Sequence, residues 1–435
     1  MSHYKPYPAY KDSGVEWIGK VPKHWDSKPI KVIASCNDDS LPESASPDTP
    51  IRYVDISSVS HDEGIAEPEP MLFGNAPSRA RRKARAGDVV VSTVRTYLKA
   101  VASVDDKHAD CVYSTGFAVL RPRKEHLAPE FLKWLALNEL LIQAVESHSE
   151  GLSYPAINAS ELVNLKTVVP GLAEQRRIAS VLDRETARID ALIAKKTEFI
   201  ELLAKKRQAL ITHAVTKGLN PKVKMKDSGV KWLGEIPEHW EFVPSNSLFP
   251  ESKDRAWAED EHLSATQKYG VIPLAEYERL EARQVTHAVK NLDQRKHAEI
   301  DDFVISMRSF EGGIERVKAR GCVRSSYVVL KAGDKAHAGF FTYLFKSSAY
   351  IQGLRATATF IRDGQDLSYS NFRQVKLPRP GLDEQKAIAD FLDKSVSRID
   401  LLTEKTQLSI DLLKQRRSAL ITAAVTGQID LRESA

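Results

Sequence analysis

Cysteine is nearly missing from this 435-residue chain: there are three, Cys36, Cys111 and Cys322, far apart and odd in number. That excludes a disulfide framework and any CxxC metal site, and it suits a reducing compartment. Apolar runs are short, and none reaches the roughly 18 residues that a membrane span requires. The opening residues, MSHYKPYPAY, lack the apolar stretch of a signal peptide. These absences predict a cytoplasmic protein with no membrane contact. A large excess of either charge is missing too: 63 Lys and Arg stand against 58 Asp and Glu, a net +5, so any basic face must be local. Glycine and proline, 21 of each, are too few for a collagenous or low-complexity chain. With 42% hydrophobic and 28% charged residues the composition is that of a folded protein, and the length predicts two or three domains.

Catalytic signatures are also missing. There is no HExxH, no nucleophile elbow, no glycine-rich cofactor loop after a strand and no amino-methyltransferase tetrapeptide. Gly14 to Lys20 fits the GxxxxGK of a phosphate loop, but position 21 is Val instead of the magnesium-binding hydroxyl. The acidic doublets Asp105-Asp106 and Asp301-Asp302 lack the companion residues of a nuclease and read as solvated turns. The sequence therefore predicts a non-catalytic chain, with no cofactor or metal of its own.

What is present is a duplication. KDSGVEWIGKVPKHW from Lys11 recurs as KDSGVKWLGEIPEHW from Lys226, with ten of fifteen positions identical. The 47 residues from Pro170 and from Pro380 share 25 identities, both stretches opening PGLxEQ and passing through ALIT. Two copies of one unit span nearly the whole chain. In the docking-like segment Trp17, Trp25, Trp232 and Trp240 read as packing residues, and His24 and His239 as packing or capping residues.

Between the markers, residues 30–165 and 245–375 diverge. GDVVVS from Gly87 resembles DDFVIS from Asp301, each leading to an arginine (Arg95, Arg308), and Phe117–Leu120 resembles Tyr327–Leu330. These read as strands, and 131–145 and 340–354 as amphipathic helices, so each middle segment is expected to be a mixed α/β globule.

Each PGLxEQ opens a long helix. Ile178, Leu182, Ile189, Leu192, Phe199, Leu203 and Leu210 form one heptad-like stripe, and Ile388, Leu392, Ile399, Leu402, Leu413 and Leu420 form the other. A rod with one apolar stripe needs a partner stripe, and a two-fold duplication predicts that the two helices pair antiparallel.

The basic signal is local. Arg79, Arg81, Arg82, Lys83 and Arg85 put five cations in seven residues, too dense for each to read a base. They suit phosphates, or a solvated face. Cations beside hydroxyls and aromatics recur at Ser92, Arg95, Tyr97 and Lys99 and at Ser306, Arg308, Ser309 and Phe310, with Tyr154, Arg362 and Tyr369 just before the long helices. Arg95 and Arg308 are the best guanine-reading candidates; the alternative is that they pair with Asp88 and Asp302 inside their own domains.

The PGLxEQ entry, the Ile…Leu-Asp…Arg-Ile-Asp helix running to Ala-Leu-Ile-Thr, and the KDSGVxWxGxxPxHW segment, in duplicate and in order, resemble the specificity (S) subunit of type I restriction-modification enzymes. The resemblance implies two target-recognition domains, 1–168 and 221–378, each followed by a conserved long helix, 169–220 and 379–435. It implies that each domain reads half of a gapped, asymmetric site in double-stranded DNA, and that the antiparallel helices act as spacer. It also implies docking of two methyltransferase subunits and a restriction/translocase subunit, with S-adenosylmethionine, ATP and Mg bound by those partners. The recognition subunit of a related enzyme without a translocating motor is the alternative.

Overall fold

A computed structural model describes residues 4–284, 294–306, 313–357 and 367–432. The chain divides into two compact units that cut across chain order: Met1–Thr197 with Leu408–Ala435, and Glu198–Gln407. Two helices, α1 (Leu172–Lys217) and α2 (Leu382–Val425), contribute to both units. Neither helix contains Gly or Pro, and each starts just after a glycine, Gly171 or Gly381. Each ends near a left-handed glycine, Gly218 (φ +75°) or Gly427 (φ +71°), the usual way a helix is stopped.

Within each unit the helical segments run antiparallel. In the first, Ile178 and Leu182 of α1 share a core with Leu420 and Ile421 of α2, while Asp190 further along α1 meets Arg417 at 3.0 Å. In the second, Ile211 and Val215 share a core with Ile388 and Leu392, while Arg207 meets Asp400 at 3.0 Å. Asp190 and Asp400 are the same position of the repeat, as are Arg207 and Arg417, so one ion pair is made twice.

The seam differs from the stripe expected from sequence. The buried and half-buried positions of α1 alternate by four and three through Leu182, Thr186, Ile189, Ile193, Lys196, Ile200, Leu203, Arg207 and Leu210. Those of α2 do the same through Leu392, Val396, Ile399, Thr403, Thr406, Ile410, Leu413, Arg417 and Leu420. Leu192 (49% exposed), Phe199 (40%) and Leu402 (42%) fall one residue off this alternation and face outward. The seam tolerates polar residues there instead: Thr403 and Thr406 donate their hydroxyls to the carbonyls of Ile399 and Leu402, leaving only methyl groups to pack.

The globules are mixed α/β. The first unit has a four-stranded antiparallel sheet ordered Val101–Ser103, Val89–Ser92, Phe117–Pro122, Ala34–Cys36. Its second sheet is ordered Glu69–Leu72, Pro50–Val54, Val112–Ser114, Ala80–Lys83. In the second unit Phe303–Ile305 pairs with Val328–Leu330, as Val89–Ser92 pairs with Phe117–Pro122 in the first. The strands matched by sequence are thus central neighbours in both. The expected amphipathic helices are each broken in two, Pro129–Ala136 with Glu139–Ser147, and Ala338–Phe345 with Ser348–Arg355. The breaks are local: Asn138 and Ser347 accept the backbone N–H of Leu140 and Tyr350, capping a new helix.

The repeated motifs are joints. Gln175 of PGLAEQ is fully buried, donating to the carbonyls of His126 and Pro170 and accepting from Ala128 N. Gln385 repeats this with Lys335, Pro380 and His337. The preceding acids, Glu174 and Glu384, meet His24 and His239, both at 2.8 Å. Trp25 and Trp240 are fully buried beneath the ending glycines. A Cβ on Gly427 would meet Pro22 at 2.3 Å, whereas one on Gly218 would find nothing closer than 3.3 Å.

Candidate nucleic-acid interface

In the first unit two of the expected segments come together. Ile157 N donates to Thr93 O, Val94 bridges Ala156, and Thr96 Oγ1 donates to Ser149 Oγ at 2.9 Å. Glu150 and Ala156 exchange two backbone hydrogen bonds, closing a tip that carries Gly151 to Tyr154. The loop from 93 to 99 and this tip form one surface with Arg95, Tyr97, Leu98, Leu152 and Tyr154 all exposed. Arg95 (φ +51°) and Lys99 (φ +49°) bracket a single 3-10 turn, both in the left-handed region that L-residues with a Cβ avoid at about 1 kcal/mol each. The Arg95 guanidinium lies over the Tyr154 ring at 4.9 Å.

The expected internal pairing of Arg95 with Asp88 is not made. Asp88 is 2% exposed and binds Arg121, at 2.8 Å, and the backbone N–H of Arg85. Among the described residues no carboxylate lies within ion-pair distance of Arg95. Two neighbours are less available. Ser92 is buried and donates its hydroxyl to Val94 O, so it shapes the loop. Lys99 is bonded to Glu139, which raises its pKa and occupies the ammonium.

The basic run is a strand, Ala80–Lys83, not a helix face, so its side chains alternate. Arg79 is exposed but bonded to Asp55 and Tyr53. Arg81 is half-buried with its guanidinium over Phe73 at 4.8 Å, Arg82 is half-buried, and Lys83 is exposed. The four cations therefore do not share one face.

In the second unit, Arg308, Ser309, Phe310 and Arg362 lie outside the described residues. Ser306 is half-buried and its N–H donates to Gly313 O. Tyr369 stacks on Phe372 at 6.1 Å against the core, so it serves packing. Asp302 is 6% exposed, not solvated as expected; it accepts from Glu299 N and Ala332 N, and burial pushes its pKa up. Asp301 binds Arg316 at 2.6 Å.

Glu315, on the strand Ile314–Arg316, is 2% exposed and reaches Lys346 at 2.9 Å; burial pushes its carboxyl up to about 7. The folded state holds this proton more tightly than the unfolded one. Its stabilisation is therefore complete below the unfolded value near 4.5 and is lost as pH rises through about 7. Glu315→Gln is expected to remove that decline, on the order of 3 kcal/mol at most, as read by thermal melts of both proteins from pH 4.5 to 8.

Sequence reasoning missed a groove in each unit beside the end of the helix that terminates there. Ser418 and Thr422 of α2 and Thr426 just past its end line one, with Lys20 and Leu140. Gln208, Thr212 and Thr216 of α1 line the other, with Ser348. The three positions correspond in the repeat. The signal was in the sequence as the recurring small residues of ALIT and its flanks, within a helix otherwise rich in long side chains.

Several comparisons bear on this arrangement. The family model described as the type I restriction modification DNA specificity domain matches residues 83–202 and 237–410. The putative type I restriction enzyme MjaX specificity subunit of Methanocaldococcus jannaschii is 24% identical, over 95% of this chain and 96% of its own. The EcoKI specificity subunit of Escherichia coli is 23% identical over 45% of this chain and 44% of its own. A solved structure reported for complex assembly and conformational transition of the type I R-M system superposes with a TM-score of 0.73 at 22% identity, covering 94% of this chain and 99% of that one. The crystal structure of the HsdS subunit from Thermoanaerobacter tengcongensis gives 0.55 at 23%, covering 94% and 98%. Since the family model matches twice and takes in well over half the residues, this chain belongs to the type I restriction-modification DNA specificity family.

Proposed function

We propose that the chain is the DNA sequence-specificity subunit of a type I restriction-modification enzyme. Residues 1–168 and 221–378 are the recognition domains, each choosing half of a gapped, asymmetric duplex site, and the long helices at 169–220 and 379–435 act as the spacer. The observation that carries the reading is one frame built twice, down to the Gln, Glu–His and Asp–Arg contacts, around two globules of different sequence. A constant frame with variable inserts suits two readers of different sequences on one duplex, which gain affinity through effective concentration. The repeated grooves and the outward Leu192, Phe199 and Leu402 suit two copies of one partner, the methyltransferase subunit; a restriction/translocase subunit completes the assembly. Chemistry, with its S-adenosylmethionine, ATP and Mg, belongs to those partners. The three free cysteines and the absence, among the described residues, of any helix long and apolar enough to cross a membrane accord with a cytoplasmic setting.

Filter binding of the chain co-assembled with its methyltransferase tests this. Sequence-selective retention of duplexes from a random pool is expected; uniform retention would refute it. In the same assay, alanine at the exposed Lys83 should weaken all duplexes alike and flatten the salt dependence by about one unit of slope.

A further inference from the structure

The second unit holds an aromatic platform outside every segment discussed so far. Trp257 is 46% exposed, yet its ring lies flat on His297 at 3.7 Å with 13° between planes. His297 is 2% exposed and has a carboxylate on each side: Nδ1 meets Asp260 at 2.8 Å and Nε2 meets Glu299 at 3.0 Å. With Asp260 and Glu299 ionised, both nitrogens are satisfied only when both carry protons, and, against the desolvation that lowers it, the two carboxylates raise the ring's pKa. The Asp260 side chain is fully buried; it also accepts the backbone N–H of Trp257 at 2.8 Å, and Asp260 N donates back to Trp257 O. One buried charged cluster thus fixes both the turn and the ring of a tryptophan left half in water. Arg320 holds its guanidinium over the indole ring, 5.5 Å from its centroid, so that the indole lies between the imidazole and the guanidinium with its edge left in water.

Folding alone does not explain this. A buried ion cluster is at best neutral for stability against apolar packing, and an exposed indole contributes little. A preorganised indole edge beneath a guanidinium does suit a duplex, where apolar side chains contact thymine methyls and arginines contact phosphates. Glu259 and Glu261 are exposed on the same turn and offset nearby cations such as Arg255. The spot is therefore poorly made for bulk electrostatic affinity and better made for selectivity.

Resting on the function proposed above, we infer that Trp257 and Arg320 form a specificity-determining contact of the second unit with its half-site. The exposed edge of Trp257 packs on a thymine methyl and Arg320 binds the adjacent phosphate. His297 and Asp260 are positioning residues that act through the ring.

The test uses the full chain assembled with its methyltransferase, selecting from duplexes of randomised sequence. Trp257→Ala is expected to leave one half of the selected consensus intact and to lower the preference for thymine at one position of the other by about tenfold. Trp257→Phe should restore part of it, and His297→Gln should relax the same position without changing the salt slope. Arg320→Ala should reduce that slope by about one unit for every duplex. If the wild type selects no consensus, the function reading fails and takes this inference with it. If the wild type selects a two-part consensus and Trp257→Ala returns it unchanged, or alters both halves, the platform inference fails while the function stands. Should Trp257→Ala not assemble, an unchanged consensus in both Trp257→Phe and His297→Gln overturns it.

Discussion

Aspartate at Leu182 and at its repeat partner Leu392 is expected to abolish cooperative folding of the chain. Both side chains are fully buried, one in each unit's core beneath the helix seam. Each substitution removes about 2–5 kcal/mol of leucine packing and adds the several kcal/mol of an unpaired buried carboxylate. A typical domain has only about 5–15 kcal/mol in total, so either change alone consumes most of it. Aspartate at Leu192 and Leu402 should behave oppositely. These lie one residue from the seam and are about half exposed, so melting should move by less than about 0.5 kcal/mol while co-purification of the methyltransferase falls. Thermal unfolding and pull-down of the two double variants check both statements. Equal destabilisation by the two pairs would show the seam register to be wrong.

Arg95→Ala is expected to relax one position of the half-site read by the first unit and to leave the other half-site unchanged. Arg95 stands free of any described carboxylate, with its guanidinium over Tyr154 and its backbone in the left-handed region that costs energy. An arginine fork on a guanine edge is worth about 1–3 kcal/mol of discrimination, so preference at that position should fall roughly 5- to 150-fold. Arg95→Gly keeps the backbone and should give the same relaxation, which separates loss of the guanidinium from loss of the loop. Determination of the methylated motif in cells carrying each variant is the measurement. An unchanged motif in a folded protein would make Arg95 structural, and a change in the other half-site would deny the two units their independence.

The duplication and the two long helices were legible because they rest on local signals: residue identity, unbroken helical periodicity and the absence of Gly and Pro over more than forty residues. The central strands, Val89–Ser92 with Phe117–Pro122 and Phe303–Ile305 with Val328–Leu330, were legible for the same reason. The seam register was not. Leu192 and Ile193 are adjacent and equally apolar, so a heptad drawn from one chain fits either, and only the opposing helix selects Ile193. The broken helices near Asn138 and Ser347 hid inside continuous amphipathic patterns.

Much the same divides the candidate site. The loop around Arg95 and the tip at Tyr154 were each visible as cations among hydroxyls and aromatics, but their union depends on contacts such as Thr96 with Ser149, 53 residues apart. Which cations remain free was decided entirely by such distant partners. Asp88 took Arg121 instead of Arg95, Glu139 took Lys99, and Phe73 took Arg81. The sequence by itself determined that one frame is built twice around two different readers, since that follows from identity and local propensity. The tertiary structure alone decided which side chains stay exposed and unpaired and which are spent within the fold, because ion pairing and burial are settled between residues that the chain brings together only on folding.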